Sequence, residues 1–101
     1  MFIYNVTIKV DHSIAIEWLE WLKSIHIPEV IATGCFTEAK VLQLLETDEE
    51  EGLTYAIQYN APSKAMYNNY IQNFAAELRD KSFQKWGDKF IAFRSIMQIV
   101  D

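Results

Sequence analysis

Phe2 to Val10 alternates with a period of two. Phe2, Tyr4, Val6, Ile8 and Val10 fall on one side, and Ile3, Asn5, Thr7 and Lys9 on the other. That pattern predicts a half-buried strand. At Asp11–Ser13, residues that suit a helix start, the period changes. Ile14, Trp18, Leu22 and Ile25 then form one stripe, widened by Ala15 and Leu19, with Glu17, Glu20 and Lys23 opposite. An amphipathic helix of about four turns is expected. Pro28 is expected to stop it, because a residue preceding proline, here Ile27, is pushed out of the helical region. Pro28 then opens a short second turn through Ala32, which Gly34 closes.

Phe36 to Glu46 reads two ways. Glu38, Ala39, Lys40, Leu42, Gln43 and Leu44 favour helix, whereas Val41–Leu45 is almost continuously apolar, as in a strand covered on both faces. The segment after it decides for strand. Leu53, Tyr55, Ile57 and Tyr59 alternate with Thr54, Ala56, Gln58 and Asn60, and the polar run Thr47–Gly52 between the two segments reads as a hairpin turn. Pro62-Ser63 ends that strand and supplies an N-cap. Tyr67, Tyr70, Ile71, Phe74 and Leu78 recur at helical spacing. A bend is expected before Ser82, with Phe83 and Trp86 packing in a last turn before Gly87. Phe90–Val100 is a final strand, with Ile91, Phe93, Met97 and Ile99 on one face and Ala92, Arg94, Ile96 and Gln98 on the other.

The order β-α-β-β-α-β predicts an α+β, ferredoxin-like, four-stranded antiparallel sheet with its helices on one face, in a single domain over residues 1–101. The other face then lacks cover. Its residues would be Ile3, Asn5, Thr7, Gln58 and either Arg94 or Phe93. Exposed apolar patches mark interfaces, so a homodimer through that sheet face is expected.

Composition narrows the function classes. Fourteen carboxylates against nine Lys and Arg give a net charge of −5. The basic residues are scattered, and even Arg79–Lys89 interleaves them with Asp80 and Asp88, so nucleic acid is not an expected partner. No apolar run nears the roughly 20 residues of a membrane span. The opening residues read as a strand rather than a leader. One cysteine, Cys35, allows no internal disulfide, which points to a reducing, cytoplasmic setting.

Several segments together carry a family resemblance. His26-Ile27-Pro28-Glu29-Val30 follows a helix bearing Trp18 and Trp21; then come Thr33-Gly34-Cys35-Phe36, Thr54-Tyr55-Ala56-Ile57-Gln58-Tyr59 and Phe90-Ile91-Ala92-Phe93-Arg94, with Tyr4-Asn5-Val6-Thr7 at the start. The chain resembles, over nearly its whole length, the family called domain of unknown function 4286. That resemblance implies a ferredoxin-like fold of the dimeric α/β-barrel kind and no assigned activity. More distantly the chain is similar to the dimeric α/β-barrel superfamily, which includes antibiotic-biosynthesis-type monooxygenases, haem-degrading monooxygenases and stress-responsive barrel proteins. Haem-degrading members use an Asn on the first strand, which Asn5 matches, a Trp, and a His on a later helix. Both histidines here, His12 and His26, precede the second helix, so haem is not expected.

The candidate chemistry is sparse. No phosphate loop, nucleophile elbow or CxxC pair occurs, and no cofactor or metal is expected. The acidic run Glu46–Glu51 lacks the ligand spacing of a calcium loop and reads as a solvated hairpin tip. His26, at a helix end beside the apolar stripe, is either a base or ligand-binding group or a dipole-facing cap. Arg94, mid-strand among apolar residues, either grips an anion or pairs with a carboxylate such as Glu38 or with a partner subunit. Trp21, on the flank of its stripe, is a pocket or interface candidate. Cys35 reads as a small buried hydrophobe, and His12 as a surface residue. The candidate ligand-binding set is therefore His26, Trp21, Asn5, Gln58 and Arg94, with no catalytic residue assigned. The function expected is a homodimeric small-molecule-binding or structural module. The alternative is a cofactor-independent monooxygenase- or isomerase-like enzyme, with His26 as base and Asn5, Gln58 or Arg94 orienting an oxyanion.

Overall fold

The computed structural model describes residues 1–101. The elements are β1 (Phe2–Asp11), α1 (Ala15–Trp21), a π-helical turn (Leu22–His26), α2 (Ile27–Ala32), β2 (Glu38–Gln43), β3 (Gly52–Ala61), α3 (Lys64–Asn73), α4 (Ala75–Trp86) and β4 (Phe90–Gln98). The strands form one antiparallel sheet in the order β2-β3-β1-β4. This is the ferredoxin-like arrangement, with β1 and β3 central.

Residues opposite one another in an antiparallel ladder share a face, so register sorts the side chains. Tyr4 lies opposite Tyr59 and Ile96, Val6 opposite Ile57 and Arg94, and Ile8 opposite Tyr55 and Ala92. These face the helices, and the core forms there from Tyr4, Ile8, Val10, Trp18, Tyr55, Ile57 and Tyr59. The opposite face carries Ile3, Asn5, Thr7 and Lys9 beside Met97, Ser95, Phe93 and Ile91 of β4. Phe93 thus lies on the uncovered face and Arg94 under the helices. The molecule is 19 Å across its thinnest direction, which accommodates one sheet and one helix layer. Nothing covers the second face.

Pro28 does not stop the first helix. Ile27 keeps helical angles (φ −59°, ψ −47°), and the chain stays helical from Ala15 to Ala32. The π-turn explains why. An ordinary α-helix would drive the proline ring into the carbonyl four residues back, that of Ser24. Widening the turn before it, with the Ile27 N–H donating to Leu22 O, relieves that clash. The short second turn through Ala32 and the glycine beyond it are as expected: Gly34 adopts φ +79°.

The second helical region breaks at Phe74 (φ −128°, ψ −32°) and not before Ser82, which lies within unbroken α4. Phe83 does not pack in the last turn but is 61% exposed; Trp86 is half-buried, edge-on to Trp21. Ser63 does cap α3, its hydroxyl accepting from the Met66 N–H. β2 ends at Gln43, short of the expected Glu46, and Leu45 is exposed. Gly52 opens β3 against β1, where a Cβ would collide with the Val10 carbonyl oxygen. Glycine is required at that close approach.

Candidate functional site

A cleft lies between the helices and strands β1, β3 and β4 of the sheet. Its floor comes from Tyr4, Val6, Ile8, Ile57, Tyr59, Phe90 and Arg94; one wall comes from Trp18, Trp21, Leu22 and His26, and the other from Leu78, Arg79 and Ser82 with Tyr70. The cavity measures about 50 Å³. Drug-sized ligand sites run to about 300–1,000 Å³, so this one admits a fragment of a few atoms.

The π-turn aims His26 into this cleft. Residues five apart point away from each other on an α-helix, at about 100° per residue. The wider turn brings them into line, and the Trp21 and His26 rings stack at 4.9 Å with 22° between planes. Single π-turns inside helices are frequent at functional sites. Burial is the largest influence on His26 and lowers its pKa; the Arg94 charge adds to that, while Glu29 opposes it. The neutral imidazole is thereby favoured.

Three tyrosines meet in the cleft, Tyr4 and Tyr59 from the sheet and Tyr70 from α3. Tyr4 stacks on Phe36 at 5.8 Å and on Tyr59 at 6.0 Å, and lies 5.7 Å from Tyr70. Burial, reinforced by the neighbouring tyrosines, raises the pKa of Tyr59 and Tyr70. Their hydroxyls stay protonated and can donate. Arg79 Nη2 donates to Tyr4 Oη at 3.1 Å. Arg94 finds no carboxylate: the one salt bridge in the chain joins Lys81 to Glu29, and Glu38 sits on the uncovered face, where Asn60 donates to it. No Asp or Glu lines the cleft.

The five sequence-derived candidates divide between two faces. His26, Trp21 and Arg94 line the cleft. Asn5 and Gln58 lie on the uncovered face, where Gln58 Nε2 donates to Asn5 Oδ1 at 3.3 Å and Asn5 Nδ2 donates to Thr7 Oγ1 at 2.9 Å. Those amides cannot share one small ligand with His26 through the thickness of the sheet. Sequence reading missed Arg79 and Ser82 as cleft residues. The signal was available in the helical stripe: Leu78 is an anchor, and Ser82 one turn on shares its face. Cys35 is fully buried, with the Asn69 amide donating to its sulfur at 3.4 Å. His12 is exposed in the turn after β1, its Nε2 2.6 Å from the Glu49 carbonyl oxygen of the hairpin tip.

No curated protein matches this chain. Solved structures share its fold. A dimeric ferredoxin-like protein from an uncultured marine organism aligns with a TM-score of 0.69 at 12% identity, over 99% of this chain and 95% of its own. HapK from Hahella chejuensis gives 0.72 at 10% identity, over 99% and 93%. SnoaB, a cofactor-independent oxygenase from Streptomyces nogalater, gives 0.68 at 9% identity, over 99% and 94%. At such identities the likeness concerns fold alone. No helix is long and apolar enough to cross a membrane. The family model described as "Domain of unknown function (DUF4286)" matches residues 1–100, and the chain belongs to that family.

Proposed function

We propose that two copies of this chain associate through their uncovered sheet faces, and that each copy keeps a small-molecule site in its helix–sheet cleft. One observation carries the association: on a single face, Phe93 is 71% exposed, Ile91 62%, Met97 42% and Leu42 39%. Exposed apolar side chains gathered on one sheet face, here interleaved with the polar Asn5 and Ser95, are characteristic of an interface. The Asn5–Gln58–Thr7 amide and hydroxyl network lies within it and supplies polar groups that fix a register. The similar marine protein is itself described as dimeric.

Two features support binding rather than turnover. Asn5 and Gln58 lie across the sheet from His26, which leaves Arg94 alone of the three groups that could orient an oxyanion there. The cavity, at about 50 Å³, holds too little to enclose a polyketide-sized substrate. The solitary, buried thiol of Cys35 supports a reducing, cytoplasmic setting. Light scattering on an eluting peak tests the association. A mass near 23.6 kDa, twice the 11.8 kDa of one chain, is expected; 11.8 kDa would overturn it.

A further inference from the structure

The cleft combines apolar walls with an unbalanced charge. Arg79 and Arg94 reach it from α4 and β4, and neither is paired with a carboxylate. Both are solvent-exposed residues that line the cleft, and the charge of each favours the ionised form of Tyr70 against the burial that disfavours it. Arg79 is oriented by its bond to Tyr4 Oη at 3.1 Å. Glu29, the carboxylate that acts on His26, is engaged by Lys81 at 3.0 Å. A guanidinium presents a planar fork of donors that matches a carboxylate. Two of them lining one apolar cavity, with no carboxylate among its residues, leave a site that an anion would complete.

We infer that the ligand of this cleft is a short-chain organic carboxylate. Its apolar body lies against Trp18, Ile57 and Leu78, and its carboxylate lies between Arg79 and Arg94. The cavity volume of about 50 Å³ limits the body to a few carbons. The apolar walls favour a monoanion with a hydrocarbon tail over inorganic phosphate, whose second charge costs more to desolvate. This rests on the cleft being a ligand site, as proposed above.

Titration of ¹⁵N-labelled protein, following the three tryptophan indole N–H signals, tests it with sodium butyrate, butyramide and sodium phosphate at matched ionic strength. Butyrate is expected to shift the Trp18 and Trp21 signals saturably and to bind at least about 10-fold more tightly than butyramide. The double variant Arg79→Gln/Arg94→Gln is expected to erase that preference. The wild-type comparison decides the matter even if that variant does not fold. Butyramide binding as well as butyrate, or phosphate binding more tightly, would overturn the carboxylate assignment while leaving the cleft a ligand site. No saturable shift with any probe would overturn both.

Discussion

His26 shows how one residue's setting determines its chemistry. Burial and Arg94 hold its pKa below the ordinary 6.5, so the folded state binds fewer protons than the unfolded chain between that depressed value and 6.5. Stability from this group is therefore complete above 6.5 and is lost as pH falls through the window beneath it. Urea midpoints measured from about pH 5 to about pH 8 are expected to fall on the acid side, and His26→Gln is expected to flatten that slope. An unchanged slope in the variant would show that other groups set it. Gly52 is the complementary case, constrained by space and not charge. Gly52→Ala places a methyl against the Val10 carbonyl and is expected to cost about 2 kcal/mol or more, read from the same denaturation curves. His26 was legible as a candidate at the edge of a stripe drawn with α-helical period, but the π-turn that stacks it on Trp21 in the cleft was not. Gly52 looked like the end of a turn, whereas it is paired with Asp11 at the start of a ladder. Arg94 was legible as an anomaly, but period-two alternation could not choose its face, because Ile91 and Phe93 are as apolar as Ala92 and Ile96.

Among the elements, the three long strands were plain from alternation. β1 and β3 stand where Phe2–Val10 and Leu53–Asn60 placed them, because each has a helix-covered side that is apolar at every second residue; β4 begins at Phe90 as expected but ends at Gln98, short of Val100, and carries Arg94 on its helix side. β2 needed the adjacent hairpin to decide it, since Glu38–Leu44 carries helix formers and its face toward the helices is only half-buried. The helix interruptions were misplaced for a physical reason. Proline excludes one hydrogen bond and one ring position, and a wider turn satisfies both without ending the helix. Pro28→Ala tests this directly. Restoring an N–H at residue 28 lets the turn relax to α geometry, and His26 then swings off Trp21. The upfield ring-current shift of the His26 ring protons, produced by the stack at 4.9 Å, is expected to shrink toward its random-coil value. A shift that survives the substitution would show that packing, not proline, holds the π-turn.

At the scale of the whole molecule, a sheet with apolar side chains on both faces and helices on only one leaves its second face unsatisfied. The helix-covered face carries the aromatic core, in which Tyr4, Phe36, Tyr59 and Tyr70 lie within 6.0 Å of a neighbouring ring. The other face exposes Phe93 and Ile91 in water. Phe93→Glu, which sets an unpaired carboxylate in that surface, is expected to weaken association by about 3 kcal/mol, roughly 100-fold in Kd, without unfolding the chain, because the side chain lies outside the core. Sedimentation of wild type and variant over a range of concentrations measures it. A mixed sample of ¹³C-labelled and unlabelled protein, examined by isotope-filtered nuclear Overhauser spectroscopy, locates the contact itself. Intermolecular signals are expected from the Phe93 ring to the Ile91, Met97 or Leu42 methyl groups of the second copy. Signals confined to the helices, or none at all, would contradict association through the sheet.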